Sequence, residues 1–257
     1  MGVDTKVDEK DVEGMDRIKR YMEKFESEKV AVSYSGGVDS SLVAYAAKEI
    51  ADAVTIKSEF APDYVIDEAK EFAEKFGMRH KILNISLLDD EMKNNPTNRC
   101  YLCKKRIIEE IKDLGYNIIM DGTNADDLDE DRPGLKAKEE GDIISPLADL
   151  GLGKREIRRI MADVDEKVAR KPSESCLATR IPFNSEVTLE RLKRIEKAEE
   201  LIRSIGLSLV RVRDHFPVAR IEVSRDEFDK VLGAEDLVSE LKRLGYKFVI
   251  VDVRGER

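Results

Sequence analysis

The densest concentration of reactive chemistry in this chain is Ser35-Gly36-Gly37-Val38-Asp39-Ser40-Ser41. Paired glycines let a backbone turn tightly and bring its N–H groups against an anion. A helix starting at such a turn adds unpaired donors and partial positive charge, so phosphate binding there is cheap. Ser35, Ser40 and Ser41 bring hydroxyls, and Asp39 brings a carboxylate able to hold a magnesium ion between phosphate oxygens. The G-x-x-x-x-G-K-[ST] order of ordinary P-loop NTPases is missing. The blander alternative is a strand-to-helix turn that uses Gly and Ser for geometry alone.

Thiols form the second group. Cys100 and Cys103 make a CxxC, and Cys176 stands in KPSESCLATRIPFNS, residues 171–185. A lone CxxC is equally a redox pair or half a zinc site. Zinc would want a fourth nitrogen or sulfur, and His80 and His215 lack ligand-like spacing. Three cysteines suit a 4Fe–4S cluster with one iron open to an exogenous sulfur. Three separate buried thiols remain the alternative. The odd count speaks against a disulfide framework.

Arginines form the third group. Arg211 and Arg213 alternate along a strand and so share a face, and Arg180 lies in the cysteine loop. Guanidinium forks match phosphate and carboxylate. Glu222, on the next strand, could orient one of them or a ribose hydroxyl. A solvated, salt-bridged sheet face is the competing reading.

The elements that must position these groups alternate. Strands are expected at 29–34, 53–60, 80–85 and 117–120, with helices at 11–27, 42–50, 65–76 and 101–114. Short apolar strands separated by helices predict a parallel sheet covered on both faces. A further helix is expected at 154–164, then the loop 171–185 as domain junction. Beyond it a helix over 188–205 has Thr188 as N-cap and Gly206 as stop. Strands at 207–213, 219–223 and 248–253, with helices near 226–232 and 235–244, complete a small α/β unit. The division is thus 1–185 for a nucleotide-binding domain and 186–257 for a smaller one that binds substrate and makes subunit contacts. The acidic run Asp126, Asp127, Asp129, Glu130, Asp131 reads as a solvated loop. Tyr101 and Phe183 are candidates for stacking or for core.

At 257 residues, 39% charged and 41% hydrophobic, the chain can surround a real core with a solvated surface. No apolar run approaches the ~18–20 residues of a membrane span, and the charged N-terminus lacks a secretory h-region. A cytosolic location is expected. Net charge −9 argues against a duplex nucleic-acid binder. Trp and Gln are absent while ionic residues abound, a usage that recurs in thermophile proteins.

SGGVDSS resembles the PP-loop of the ATP pyrophosphatases, which cleave ATP between α- and β-phosphates and adenylate a substrate oxygen. Asp121-Gly122-Thr123-Asn124-Ala125-Asp126-Asp127 is similar to that superfamily's second nucleotide-side loop, and PLADL with Lys154-Arg155-Glu156-Ile157-Arg158 to its post-sheet segment. The SGGVDSS loop, the 171–182 segment KPSESCLATRIP, the strand VRVR (210–213) and ARIEV (219–223) together resemble the LarE family over nearly all of the chain after residue 13. That resemblance implies a PP-loop α/β domain with a smaller C-terminal α/β domain. It implies an enzyme that adenylates a carboxylate of pyridinium-3,5-biscarboxylic acid mononucleotide and replaces oxygen by sulfur, toward a nickel-pincer cofactor. ATP and magnesium would meet Ser35, Gly36, Gly37, Asp39, Ser40, Ser41, Gly122 and Thr123; Arg180, Arg211, Arg213 and Glu222 would hold the mononucleotide. In one variant of the family a single cysteine, matching Cys176, gives up its own sulfur. In the other, three cysteines hold a 4Fe–4S cluster that carries sulfur, and Cys100, Cys103 and Cys176 match that variant. Sulfide or another donor is the implied sulfur source, and a homo-oligomer, as a hexamer, the implied assembly. A PP-loop tRNA thiolase is the alternative enzyme, and a nucleotide-binding regulator the alternative without turnover.

Overall fold

The computed structural model describes residues 9–128, 133–207 and 209–253. Asp129, Glu130 and Asp131 of the acidic run lie outside them. The chain divides into two compact units. The first takes in 1–57, 63–85 and 100–173; the second takes in 58–62, 86–99 and 174–257. The single boundary expected at 185/186 is therefore replaced by interleaved segments. Two short excursions of the first half pack with the C-terminal part, which no local composition shift announces.

In the first unit, β1 (Val30–Ser33), β2 (Ala51–Lys57), β3 (His80–Asn84) and β4 (Ile118–Met120) form one parallel sheet in the order β3-β2-β1-β4. α1 (Glu9–Met22) precedes the sheet; parallel strands need crossovers, supplied by α2 (Val38–Ala46), α3 (Asp63–Lys75) and α4 (Arg99–Asp113). After β4 come α5 (Ala125–Leu128), α6 (Pro133–Glu140), α7 (Pro146–Asp149), α8 (Lys154–Val164) and α9 (Glu166–Ala169). The expected α/β parallel sheet is present, with α8 matching its anticipated ends. Val30, Val32, Leu42, Val43, Leu147, Ile157 and Ile160 form its main core. Ala31, Val54, Ile108, Ile111 and Ile119 fill the opposite side. Apolar clusters thus cover both faces of the sheet, as parallel sheets require.

In the second unit, α10 (Leu189–Ser204) precedes β5 (Val210–His215) and β6 (Val218–Val223), followed by α11 (Phe228–Leu232), α12 (Leu237–Arg243) and β7 (Phe248–Val251). β5 and β6 run antiparallel and β6 and β7 parallel, in the order β5-β6-β7. The Thr188 hydroxyl accepts the Arg191 N–H at 3.2 Å, and Gly206 follows α10 at φ 85°. Both end signals of α10 therefore act as read from sequence. Among the described residues, no helix is long and apolar enough to cross a membrane.

Candidate active site

SGGVDSS leaves the C-terminal end of β1 and enters α2. β2 lies on one side of β1 and β4 on the other, so the loop stands where connections change direction, the crevice in which open α/β sheets take ligands. Gly36 adopts φ 77°, a left-handed conformation that side chains disfavour. A Cβ there would also meet Ala69 Cβ at 3.1 Å.

The loop is braced from within. Ser40 Oγ accepts the Ser35 N–H at 3.2 Å and lies 3.0 Å from Ser35 Oγ. Ser40 Oγ also donates to Gly37 O at 3.1 Å. Ser40 and Ser41 are buried. Expected as hydroxyl donors, these two serines face inward, and the donors left at the helix start are backbone N–H groups.

The loop after β4 closes on this turn. A Cβ on Gly122 would stand 2.5 Å from Ser40 N, so only glycine lets the two loops approach. Asn124, fully buried, donates to Asp39 Oδ2 at 3.1 Å and accepts the Asp127 N–H at 3.1 Å. Burial raises the Asp39 pKa; the Asn124 hydrogen bond opposes the rise and the Asp127 charge adds to it. Two mutually repelling carboxylates at a phosphate turn are a donor set that fits magnesium. The loop after β4 thus reaches Asp39 through Asn124.

Several cations gather on this side that sequence reading left as scattered lysines. Lys171 Nζ lies 3.4 Å from Gly36 O and 2.8 Å from Glu68. Lys104 and Lys138 lie 3.4 and 3.3 Å from Asp121 Oδ2, and Lys138 also donates to Thr123 Oγ1. Burial would raise the Asp121 carboxyl, but Lys104 and then Lys138 hold it below its ordinary value. Lys154 and Arg158 act electrostatically on Asp39. Only the placement of Lys154 and Arg158 just after PLADL hinted at any of this.

Cys100 and Cys103 occupy the first turn of α4, three residues apart and so neighbours on the helix surface. Cys100 is exposed and Cys103 half-buried, and none of the three cysteines is in a disulfide. Cys176, half-buried in the second unit, precedes a 3-10 turn, Leu177–Arg180. The donor chemistry, three cysteines outside any disulfide, fits iron–sulfur ligation. Among the described residues no three His, Cys, Asp or Glu are gathered as a metal site.

The arginines divide. Arg180 is buried, its side chain 0% exposed, and its guanidinium is committed. Nε donates to Glu199 Oε1 at 2.8 Å and Nη2 to Oε2 at 3.2 Å. Nη1 donates to Ser175 O at 2.9 Å and Thr179 Oγ1 at 3.0 Å, with Cys176 O at 3.4 Å. Expected to grip substrate, Arg180 instead ties the cysteine loop to α10. The reason is Glu199, fully buried on the Leu192–Ile195–Ile202 side of α10, which needs a cation. A glutamate at an apolar position of that helix was the available signal. Asn95 works alongside, donating from Nδ2 to Ile181 O at 2.8 Å and Pro182 O at 2.9 Å, while Arg99 donates to Ala178 O at 3.1 Å.

Arg211 and Arg213 do lie on one face of β5, opposite Val210, Val212 and Asp214. Arg211 pairs in register with Glu222. Arg213 holds Glu222 at 2.8 Å and donates to Thr179 O at 2.8 Å, and Arg220 also reaches Glu222, at 2.6 Å. Glu222 thus lies between two arginines, of which Arg220 was not singled out from the sequence. Phe183 is exposed, with the Arg99 guanidinium 5.5 Å from its ring centre; Tyr101 donates to Glu140.

Comparison with known proteins adds a family. Residues 28–180 match the model of a family of unknown function (DUF7411). An uncharacterized protein of Methanocaldococcus jannaschii is 37% identical over 238 residues, covering 90% of this chain and 92% of that one. An uncharacterized protein of Synechocystis is 34% identical, with 90% of each chain covered. The pyridinium-3,5-bisthiocarboxylic acid mononucleotide synthase of Lactiplantibacillus plantarum is 30% identical over 241 residues, covering 90% of this chain and 87% of that one.

Proposed function

The chain belongs to the LarE family and to the family of unknown function DUF7411, and from that premise we propose that it is a cytosolic, ATP-dependent sulfur transferase of nickel-pincer cofactor synthesis. The observation that carries this reading is the packing of Gly122 against Ser40 N with Asn124 on Asp39. It makes the turn after β1 and the loop after β4 one phosphate-facing crevice.

A carboxylate oxygen of pyridinium-3,5-biscarboxylic acid mononucleotide attacks the α-phosphorus of ATP. The bond to the β-phosphate oxygen breaks and pyrophosphate leaves. Backbone N–H groups of 36–40 hold the departing pyrophosphate, and Lys154, Arg158 and Lys171 offset the developing charge; Asp39 would hold a magnesium ion, which when bound neutralises phosphate charge. Sulfide then attacks the acyl carbon, AMP departs with the bonding pair, and a thiocarboxylate remains. Arg211 and Arg213, steadied by Glu222, hold the phosphate and second carboxylate of the substrate. Arg180 keeps the Cys176 loop in place. Cys100, Cys103 and Cys176 would hold an iron–sulfur cluster, which when bound supplies sulfur as a ligand of an open iron.

The test is anaerobic incubation with ATP, magnesium, sulfide and the carboxylated mononucleotide. Pyrophosphate, AMP and a product with one oxygen exchanged for sulfur are expected by mass spectrometry. Thiolation of tRNA alone, or pyrophosphate release indifferent to the mononucleotide, overturns the reading. Iron and acid-labile sulfide should be retained by the wild type and lost in Cys176→Ala; a wild type holding neither removes the cluster from the proposal.

A further inference from the structure

The second unit carries a concavity of about 470 Å³, lined by Ser185, Arg191, Arg194, Asp214, His215 and Phe216 among others. That volume is ordinary for a small-molecule site. Asp214 points to the face of β5 opposite Arg211 and Arg213, while His215 alternates onto their side, so this hollow wraps the end of β5 beside the arginine face assigned to the mononucleotide.

Its two arginines are not equivalent. Arg191 is spent on structure: Nε donates to Asp214 Oδ2 at 2.7 Å, Nη2 to Asp214 O at 2.9 Å and Nη1 to Glu186 O. Arg194 is held more loosely, 3.4 Å from the exposed Glu190 and 3.5 Å from Asp214. Charge-assisted hydrogen bonds are normally near 2.7–2.9 Å. Its Nε is buried with no hydrogen-bond partner among the described residues, a state that costs free energy. The side chain is only 10% exposed. Its guanidinium carbon lies 4.4 Å from the Phe216 ring centre and 5.5 Å from that of Tyr246. Stacking therefore fixes a cation whose hydrogen-bonding capacity is underused.

Two arginines against one carboxylate leave a positive hollow in a protein of net charge −9. Partial burial, and then Arg220, lower the His215 pKa, so at neutral pH its imidazole offers a neutral N–H. Phe216, 52% exposed, presents an apolar ring at the mouth. We propose that this hollow is a second ligand site, beside the mononucleotide face and distinct in its cation, for a small oxyanion bearing a planar ring. Arg194 takes the oxyanion and Phe216 the ring.

Calorimetric titration of the full chain with phenyl phosphate, benzoate and inorganic phosphate tests it. At least one ring-bearing anion should bind saturably and at least tenfold tighter than inorganic phosphate; the better of the two identifies the oxyanion. Arg194→Gln should weaken that binding at least tenfold. His215→Glu, a change at an exposed position that leaves the core alone, should weaken it similarly by adding a like charge. Arg211→Ala should leave it intact. Absence of saturable binding, indifference to His215→Glu, or loss in Arg211→Ala overturns the proposal. Pyrophosphate release in the same samples reads the sulfur-transfer reaction separately.

Discussion

The two regions proposed to hold anions are built on opposite principles. The turn after β1 uses backbone, with glycine to bend it and serine hydroxyls folded back to brace it. The face of β5 and β6 uses side chains, with Arg211, Arg213 and Arg220 around Glu222. A backbone site is contiguous in sequence because consecutive N–H groups form it. A side-chain site is dispersed, and any single arginine in it can serve a ligand or the fold. Arg180 and Arg213 make the contrast sharp. Both belong to recognisable segments, yet one is fully buried on Glu199 and the other remains partly accessible.

The largest test of that contrast is Arg180→Met. Removing one partner of a fully buried pair should cost about 3–5 kcal/mol, read as a fall in denaturation midpoint. Arg213→Met should cost no more than about 2 kcal/mol while abolishing mononucleotide binding. If Arg180→Met is as stable as wild type, the division between structural and ligand-facing arginines is wrong. A partial recovery is expected in Arg180→Met/Glu199→Leu, because an apolar pair can replace a buried ionic one.

Next comes the backbone region. Asp39→Asn should lower pyrophosphate release by about 100-fold or more with an unchanged thermal midpoint. Full turnover in this variant would sink the assignment of the turn. Gly122→Ala places a Cβ 2.5 Å from Ser40 N, so the two loops must separate. A cost of about 1–3 kcal/mol is expected, together with weakened ATP binding by calorimetry; tight binding despite the added methyl would contradict the closeness of the loops. The smallest effect belongs to a plain helix end: Thr188→Ala should cost about 1 kcal/mol and leave ATP binding untouched.

Legibility followed the same line. Strand and helix positions in the first unit were readable because β1, β2 and β4 are apolar runs and α8 repeats at helical spacing. Short helices such as α6 and α9 carry too few residues to show a period, and the interleaving of 58–62 and 86–99 with the second unit has no local signal. Lys104 and Lys138 look like surface lysines until the fold brings both to Asp121.

By itself, then, the sequence determined the glycine turn, the parallel sheet that bears it and the alternation that puts Arg211 and Arg213 on one face. Those follow from backbone sterics and residue period, which act over a few neighbours. Only the tertiary structure decided that Arg180 serves Glu199, that Ser40 and Ser41 turn inward, and that Asn124 meets Asp39. Burial and pairing of polar groups depend on partners far along the chain, and desolvation makes those partners obligatory.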